Sequence, residues 1–138
     1  SAIEKTYQTI SAKNKVKFLD FISDEDLLYF YNSASLFCYP STYEGFGLPV
    51  LEAMACGAPV LTSNTSSLPE VGGKAASYIN PSKPAEIYQA METILSNQSI
   101  ASRLRQASLA QAKKFTWEKT ARQTHQIYQK VLKNHARK

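Results

Sequence analysis

The sequence predicts an α/β domain built on a parallel sheet of about four strands, followed by a helical trailer. Three observations carry this. Short apolar runs alternate with amphipathic helical segments, the pattern of successive βαβ units. The apolar runs are brief and rich in Val, Leu and aromatic residues, as strands buried on both faces require. Beyond Pro81 the strand pattern stops and helical periodicity takes over. The expected organisation is one unit, with an α/β part over residues 1–82 and C-terminal helices over 83–138.

The elements follow in order. Residues 2–12 read as a weak helix, and Val16 to Phe21 as the first strand. Ser23-Asp24-Glu25-Asp26 reads as a capping box, a serine N-cap with an acid three residues on, opening a helix to about Ala34. Leu36 to Tyr39 is a short strand stopped by Pro40. Pro49 suits the first turn of the next helix and Gly57 marks its end. Pro59 to Thr62 and Ser77 to Ile79 complete the four strands. Ile87, Ala90, Met91, Ile94 and Leu95 then recur at helical spacing, Ile100 to Lys114 forms a second helix, and Thr116 caps a third. On that last helix Trp117, Ala121, Thr124, Tyr128 and Val131 fall on one stripe. A four-strand parallel sheet is thin for a doubly wound fold, which hints that an N-terminal edge is missing.

Composition narrows the class. At 138 residues the chain can bury a core without staples, and its 43% hydrophobic and 20% charged residues are those of a globular protein. No apolar run approaches the ~18–20 residues that cross a bilayer. The opening SAIEKTYQTI lacks the pattern of a secretory signal. Cys38 and Cys56 make no disulfide framework and no metal-ligand spacing, so reduced thiols in a cytoplasmic setting are expected. The net charge of +5 is uneven: residues 1–110 sum to −2 and residues 111–138 to +7. Such a tail fits a nucleic acid, an anionic membrane or a solvated helix face. Phe115, Trp117 and Tyr128 do not make a stacking platform for single strands, so no nucleic acid is expected.

The informative stretch runs from Pro40 through Glu44, Gly45, Phe46, Gly47, Leu48 and Glu52 to Gly57. It follows a buried strand and so lies at the carboxyl edge of the sheet, where open α/β folds bind ligands. Gly45 and Gly47 allow close backbone approach, and the helix that follows offers free amides and a positive dipole end to a phosphate. Carboxylates eight positions apart, one in the loop and one about a turn inside the helix, suit two hydroxyl-bearing parts of one ligand, since carboxylates accept such hydrogen bonds. A plain strand-to-helix turn with dipole-matched acids also fits the spacing, so the two readings stand together at this level.

The run Ser41-Thr-Tyr-Glu-Gly-Phe-Gly-Leu-Pro-Val-Leu-Glu-Ala-Met-Ala-Cys-Gly-Ala-Pro-Val60 resembles, nearly residue for residue, the Glu–seven residues–Glu motif of the retaining nucleotide-sugar glycosyltransferases of GT-B fold. Leu68-Pro69-Glu70-Val71-Gly72-Gly73 and Phe115-Thr116-Trp117-Glu118 are similar to the same family, so the likeness covers essentially the whole chain. The resemblance implies a Rossmann-like C-terminal donor domain. Glu44 would contact hydroxyls of the transferred sugar and act as the catalytic carboxylate. Glu52 would hold the nucleotide ribose, and the backbone of Phe46, Gly47 and Leu48 would meet the diphosphate and sugar. It also implies retention of anomeric configuration, no obligatory metal or cofactor, a nucleotide-sugar donor, an acceptor of unstated identity, and peripheral membrane contact in the full enzyme.

The departures matter equally. Members of that family carry an acceptor domain and two further strands, with phosphate-clamping Arg and Lys, before the point where this sequence starts. Lys13, Lys15 and Lys17 precede a strand, at the wrong edge for that role. The isolated chain is therefore expected to be inactive, with a split or truncated binding module as the alternative reading. A free-standing flavodoxin-like receiver is disfavoured by the lack of an acidic phosphorylation pocket.

Lesser candidates are Gly45, Ser63, Asn64 and Glu70. Ser63, Asn64 and Thr65 follow a strand into the same crevice, although turn chemistry alone explains them. Glu70 stands where loop support, packing and capping are all open. Asp24-Glu25-Asp26 has the look of an Asp-x-Asp metal site, but its place in a capping box favours capping, and no metal site is assigned. His125 reads as a surface histidine, and both cysteines as packing residues.

Overall fold

The computed structural model describes residues 2–135. Helix α1 (Ala2–Thr9) leads through a 3-10 turn at Lys13–Lys15 to a segment without regular structure and then to α2 (Asp24–Ser33). Next come strand β1 (Phe37–Tyr39), α3 (Leu48–Ala55), β2 (Val60–Ser63), α4 (Leu68–Gly72) and β3 (Ala76–Ile79). Three helices end the chain: α5 (Pro84–Ser96), α6 (Gln98–Ala112) and α7 (Trp117–His135). The strands form one parallel sheet in the order β1-β2-β3, with Phe37 opposite Val60 and Val60 opposite Ala76.

Strand periodicity divides the core between the two faces of the sheet. Val60 joins Tyr31, Val50, Met54, Leu68 and Val71 on the face covered by α2, α3 and α4. Its neighbour Leu61 points the other way, into Ile79, Ile94 and Leu104 under α5 and α6. All four residues of β2 are buried, as a central parallel strand demands.

Local signals behave as their chemistry requires. The Ser23 hydroxyl accepts from the Asp26 amide at 3.1 Å, which makes Ser23 the N-cap and places the acidic triplet in the first turn of α2, where its charge matches the dipole. Thr116 Oγ1 accepts from the Lys119 amide at 3.1 Å and starts α7. Arg105, on α6, ties two helix ends together: it donates to the Ala34 carbonyl at 2.7 Å and to the Gly57 carbonyl at 3.3 Å. Those carbonyls follow α2 and α3, where a cation meets the negative ends of the dipoles.

One expectation fails. The sheet has three strands where about four were expected, because Val16 to Phe21 pairs with no strand among the described residues. A strand exists only when a neighbour takes its amides and carbonyls, and β1, at the sheet edge, pairs with β2 alone. Phe21 is consequently 93% exposed, while Phe18 rests edge-on against Tyr7 of α1 at 5.0 Å. The stripe on α7 is real as a pattern but covers nothing among the described residues, with Trp117 80% exposed. The short helix α4 was not foreseen; it is a single turn and a half with Pro69 near its start.

Candidate functional site

The site is assembled at the carboxyl ends of β1 and β2. The chain leaves β1 through Pro40 and reaches α3 at Gly47, whose φ of 98° and ψ of 48° are left-handed. That conformation is cheap only for glycine. A Cβ there would also lie 2.7 Å from Leu68 Cδ2, so the loop and α4 close against each other at this point. No side chain caps α3; Val50 and Leu51 already donate to the Gly47 carbonyl and Pro49 has no amide, so it is the Leu48 amide that stands at the open start of the helix. Gly45 is different: nothing lies within 4 Å of where a Cβ would stand, leaving open space over its backbone. Phe46 and Leu48 are exposed on either side of Gly47, with the Phe46 ring edge-on to Phe115 at 5.9 Å.

The loop between β2 and α4 fastens this turn. The Ser67 hydroxyl bonds to the carbonyls of Glu44 and Phe46, both at 2.9 Å. The Glu44 amide donates to Ser66 Oγ at 3.1 Å, and Thr65 Oγ1 donates to the Thr42 carbonyl at 3.2 Å. Ser66 is held at φ 51°, left-handed and strained for a residue with a Cβ. The backbone of Glu44 is thus held by two hydroxyls, Ser66 on its amide and Ser67 on its carbonyl, while Thr65 fastens the loop two residues earlier.

Each carboxylate is then met by a tyrosine. The Tyr39 hydroxyl donates to Glu44 Oε1 at 2.6 Å, and the Tyr31 hydroxyl to Glu52 Oε2 at 3.2 Å. The hydrogen bond from Tyr39 first, and the nearby Ser41 hydroxyl second, hold the Glu44 carboxyl below its ordinary value, against an opposing effect of burial. The same bond raises Tyr39. Tyr31 is pushed up to about 12 by burial and by the Glu52 charge and hydrogen bond. Glu44 is the loop carboxylate and ionised at neutral pH. Glu52 is exposed on α3 and accepts the Tyr31 hydroxyl.

The remaining candidates scatter. Ser63 is buried, and by alternation shares the face of Leu61, whereas Thr62 faces the site and donates to the Tyr39 carbonyl at 2.9 Å. Asn64 is exposed and uses its amide on the Ile79 carbonyl. Glu70 is exposed in the first turn of α4, where its charge matches the helix dipole. Burial pushes the Cys38 thiol up, and burial with the Glu52 charge pushes up Cys56, so neither is primed as a nucleophile. Sequence reasoning missed Tyr31, Tyr39, Ser66 and Ser67. For Tyr39 a signal was present: a hydroxyl-bearing aromatic at the carboxyl end of an otherwise apolar strand.

These features define an α/β domain with two carboxylates at the carboxyl edge of its parallel sheet, beside the start of α3. The family described as "Glycosyl transferases group 1" matches residues 2–113, and the chain belongs to it. The chain is 45% identical over 113 residues to O-antigen chain mannosyltransferase B of Escherichia coli, covering 82% of this chain and 30% of that protein. It is 40% identical over 123 residues to a serotype-specific mannosyltransferase of Escherichia coli, covering 89% of this chain and 15% of that one. Sucrose-phosphate synthase from Thermosynechococcus elongatus superposes with a TM-score of 0.84 at 30% identity, over 96% of this chain and 34% of that structure, a glycosyltransferase of GT-B fold. The chain thus spans about a third or less of the length of these relatives. No helix among the described residues is long and apolar enough to cross a membrane.

Proposed function

We propose that this chain is the donor half of a retaining glycosyltransferase that moves a sugar from a nucleotide diphosphate to an acceptor, and that the sugar is mannose. The observation that carries the reading is the pair Glu44 and Glu52, one before and one just inside the uncapped, glycine-led start of α3, each steadied by a neutral tyrosine hydroxyl. One hydroxyl occupies only part of a carboxylate's acceptor capacity, leaving the rest for a ligand. Glu44 takes hydroxyls of the transferred sugar and Glu52 those of the ribose. The amides around Gly47 and Leu48 meet the diphosphate, and the open space over Gly45 admits it.

In the reaction the bond from the anomeric carbon to the diphosphate oxygen breaks and a bond to the acceptor oxygen forms on the same face. The acceptor's proton passes to the departing diphosphate, whose growing charge faces the amino end of α3. No metal is obligatory. Mannose is proposed because the two Escherichia coli relatives above are named mannosyltransferases. Because those relatives are far longer, the acceptor site and the cationic phosphate clamp are assigned to another part of the enzyme, a cytoplasmic protein in this reading. The 138-residue chain alone is accordingly inactive.

Titrating the labelled chain with GDP and GDP-mannose, followed by amide NMR, tests this. Shifts should centre on residues 44–52 with ~millimolar affinity, as one cluster of contacts working alone allows. No sugar should pass to added acceptors. Shifts confined to β3 and α5, or transfer by the chain alone, refute the assignment.

A further inference from the structure

The two tyrosines are not separate features. Tyr39 and Phe37 lie on the same face of β1, two residues apart, with their rings stacked at 5.9 Å and 13°. Phe37 in turn meets Tyr31 of α2 edge-on at 5.3 Å and 83°. The three rings make a continuous ladder packed on the core under α3, with a hydroxyl at each end and a site carboxylate on each hydroxyl. The β1 end is the better fixed of the two, since the buried Thr62 hydroxyl also holds the Tyr39 carbonyl at 2.9 Å.

We propose that Tyr39 is a positioning residue for Glu44, orienting the carboxylate that contacts the transferred sugar without touching the sugar itself. The backbone of Glu44 is already fastened by Ser66 and Ser67. What these leave free is rotation of the side chain, and the 2.6 Å bond from Tyr39 removes it. A carboxylate fixed at both ends presents its charge without reorganising as positive charge grows on the anomeric carbon. The groups acting on the Glu44 carboxyl are the hydroxyls of Tyr39 and Ser41; no cation or second carboxylate is among them. Its ionisation therefore depends chiefly on the same bond that orients it.

This rests on Glu44 being the sugar contact, so the test has one arm that does not. In the 138-residue chain, carboxyl-carbon NMR follows the titration of Glu44 in wild type and in Tyr39→Phe. The proposal expects Glu44 to titrate higher in Tyr39→Phe, toward the ordinary carboxylate range. If Tyr39→Phe does not fold, Glu44→Gln, a change in a surface loop, serves instead: the Tyr39 hydroxyl should then titrate lower than in wild type. In the full-length enzyme, Tyr39→Phe should lower kcat about tenfold, the loss expected from one charge-assisted hydrogen bond. The donor KM should hold, and the acid limb of the rate profile should move up in pH. An unchanged Glu44 titration, an unchanged Tyr39 titration in Glu44→Gln, or a kcat loss with the acid limb unmoved overturns the proposal. If Glu44 responds to Tyr39 but the full-length enzyme binds no nucleotide sugar, the donor reading is what fails, and the positioning role falls with it.

Discussion

Replacing Gly47 by alanine isolates what the turn at the head of α3 contributes. At φ 98° an alanine incurs the left-handed penalty, about 1–2 kcal/mol. Its methyl would also stand 2.7 Å from Leu68 Cδ2, too close for contact, and Leu68 is fully buried with little room to turn. Forcing extra volume into a packed site costs about 1–3 kcal/mol. Together these give a destabilisation of about 2–5 kcal/mol. With a urea slope of about 2 kcal/mol/M for a domain of this size, the midpoint should fall by about 1–2.5 M. Gly45→Ala is the matched control, because its φ is not left-handed and its added methyl meets nothing. Its stability should stay within about 0.5 kcal/mol of wild type, while affinity for GDP falls as the methyl fills the space over the loop. Urea unfolding and calorimetric GDP titration on both variants decide the matter. A Gly47→Ala midpoint equal to wild type refutes the strain argument. Undiminished GDP binding by Gly45→Ala refutes the claim that the diphosphate approaches that backbone.

The remaining predictions concern the carboxylates and the helix ends. In the full-length enzyme, Glu52→Gln should weaken GDP and GDP-mannose binding together by about 1–3 kcal/mol, as loss of a charged acceptor does. Glu44→Gln should leave GDP binding nearly intact and lower turnover, because a contact to the reacting sugar strengthens in the transition state; calorimetry showing the reverse pattern reverses the two roles. Arg105→Met keeps the aliphatic stem but strands the Ala34 and Gly57 carbonyls, so melting experiments should show a loss of about 1.5–3 kcal/mol. Arg105→Lys should recover only part of it, since an ammonium cannot fork across two carbonyls; a Met variant as stable as wild type would show that solvent replaces the guanidinium.

The sequence by itself determined the elements whose causes are local. Ser23 and Asp26 are three residues apart, so the cap of α2 is complete within one turn. The alternation of Val60 and Leu61 assigns the two sides of the sheet through the geometry of a strand. The Glu44 to Glu52 run, by its resemblance, pointed to the family to which the chain belongs. Tertiary structure alone decided the rest. Val16 to Phe21 carries as good a strand pattern as Leu36 to Tyr39, yet only the second has a neighbour to pair with. The α7 stripe likewise names a face without naming what covers it. Tyr31 and Glu52 stand 21 residues apart, joined only because α2 packs against α3. Ser66 and Ser67 reach the Glu44 loop from 22 and 23 positions away, across two parallel strands. Helical and strand periods report one residue's relation to its near neighbours, while a hydrogen bond between distant segments depends on where the fold brings their backbones.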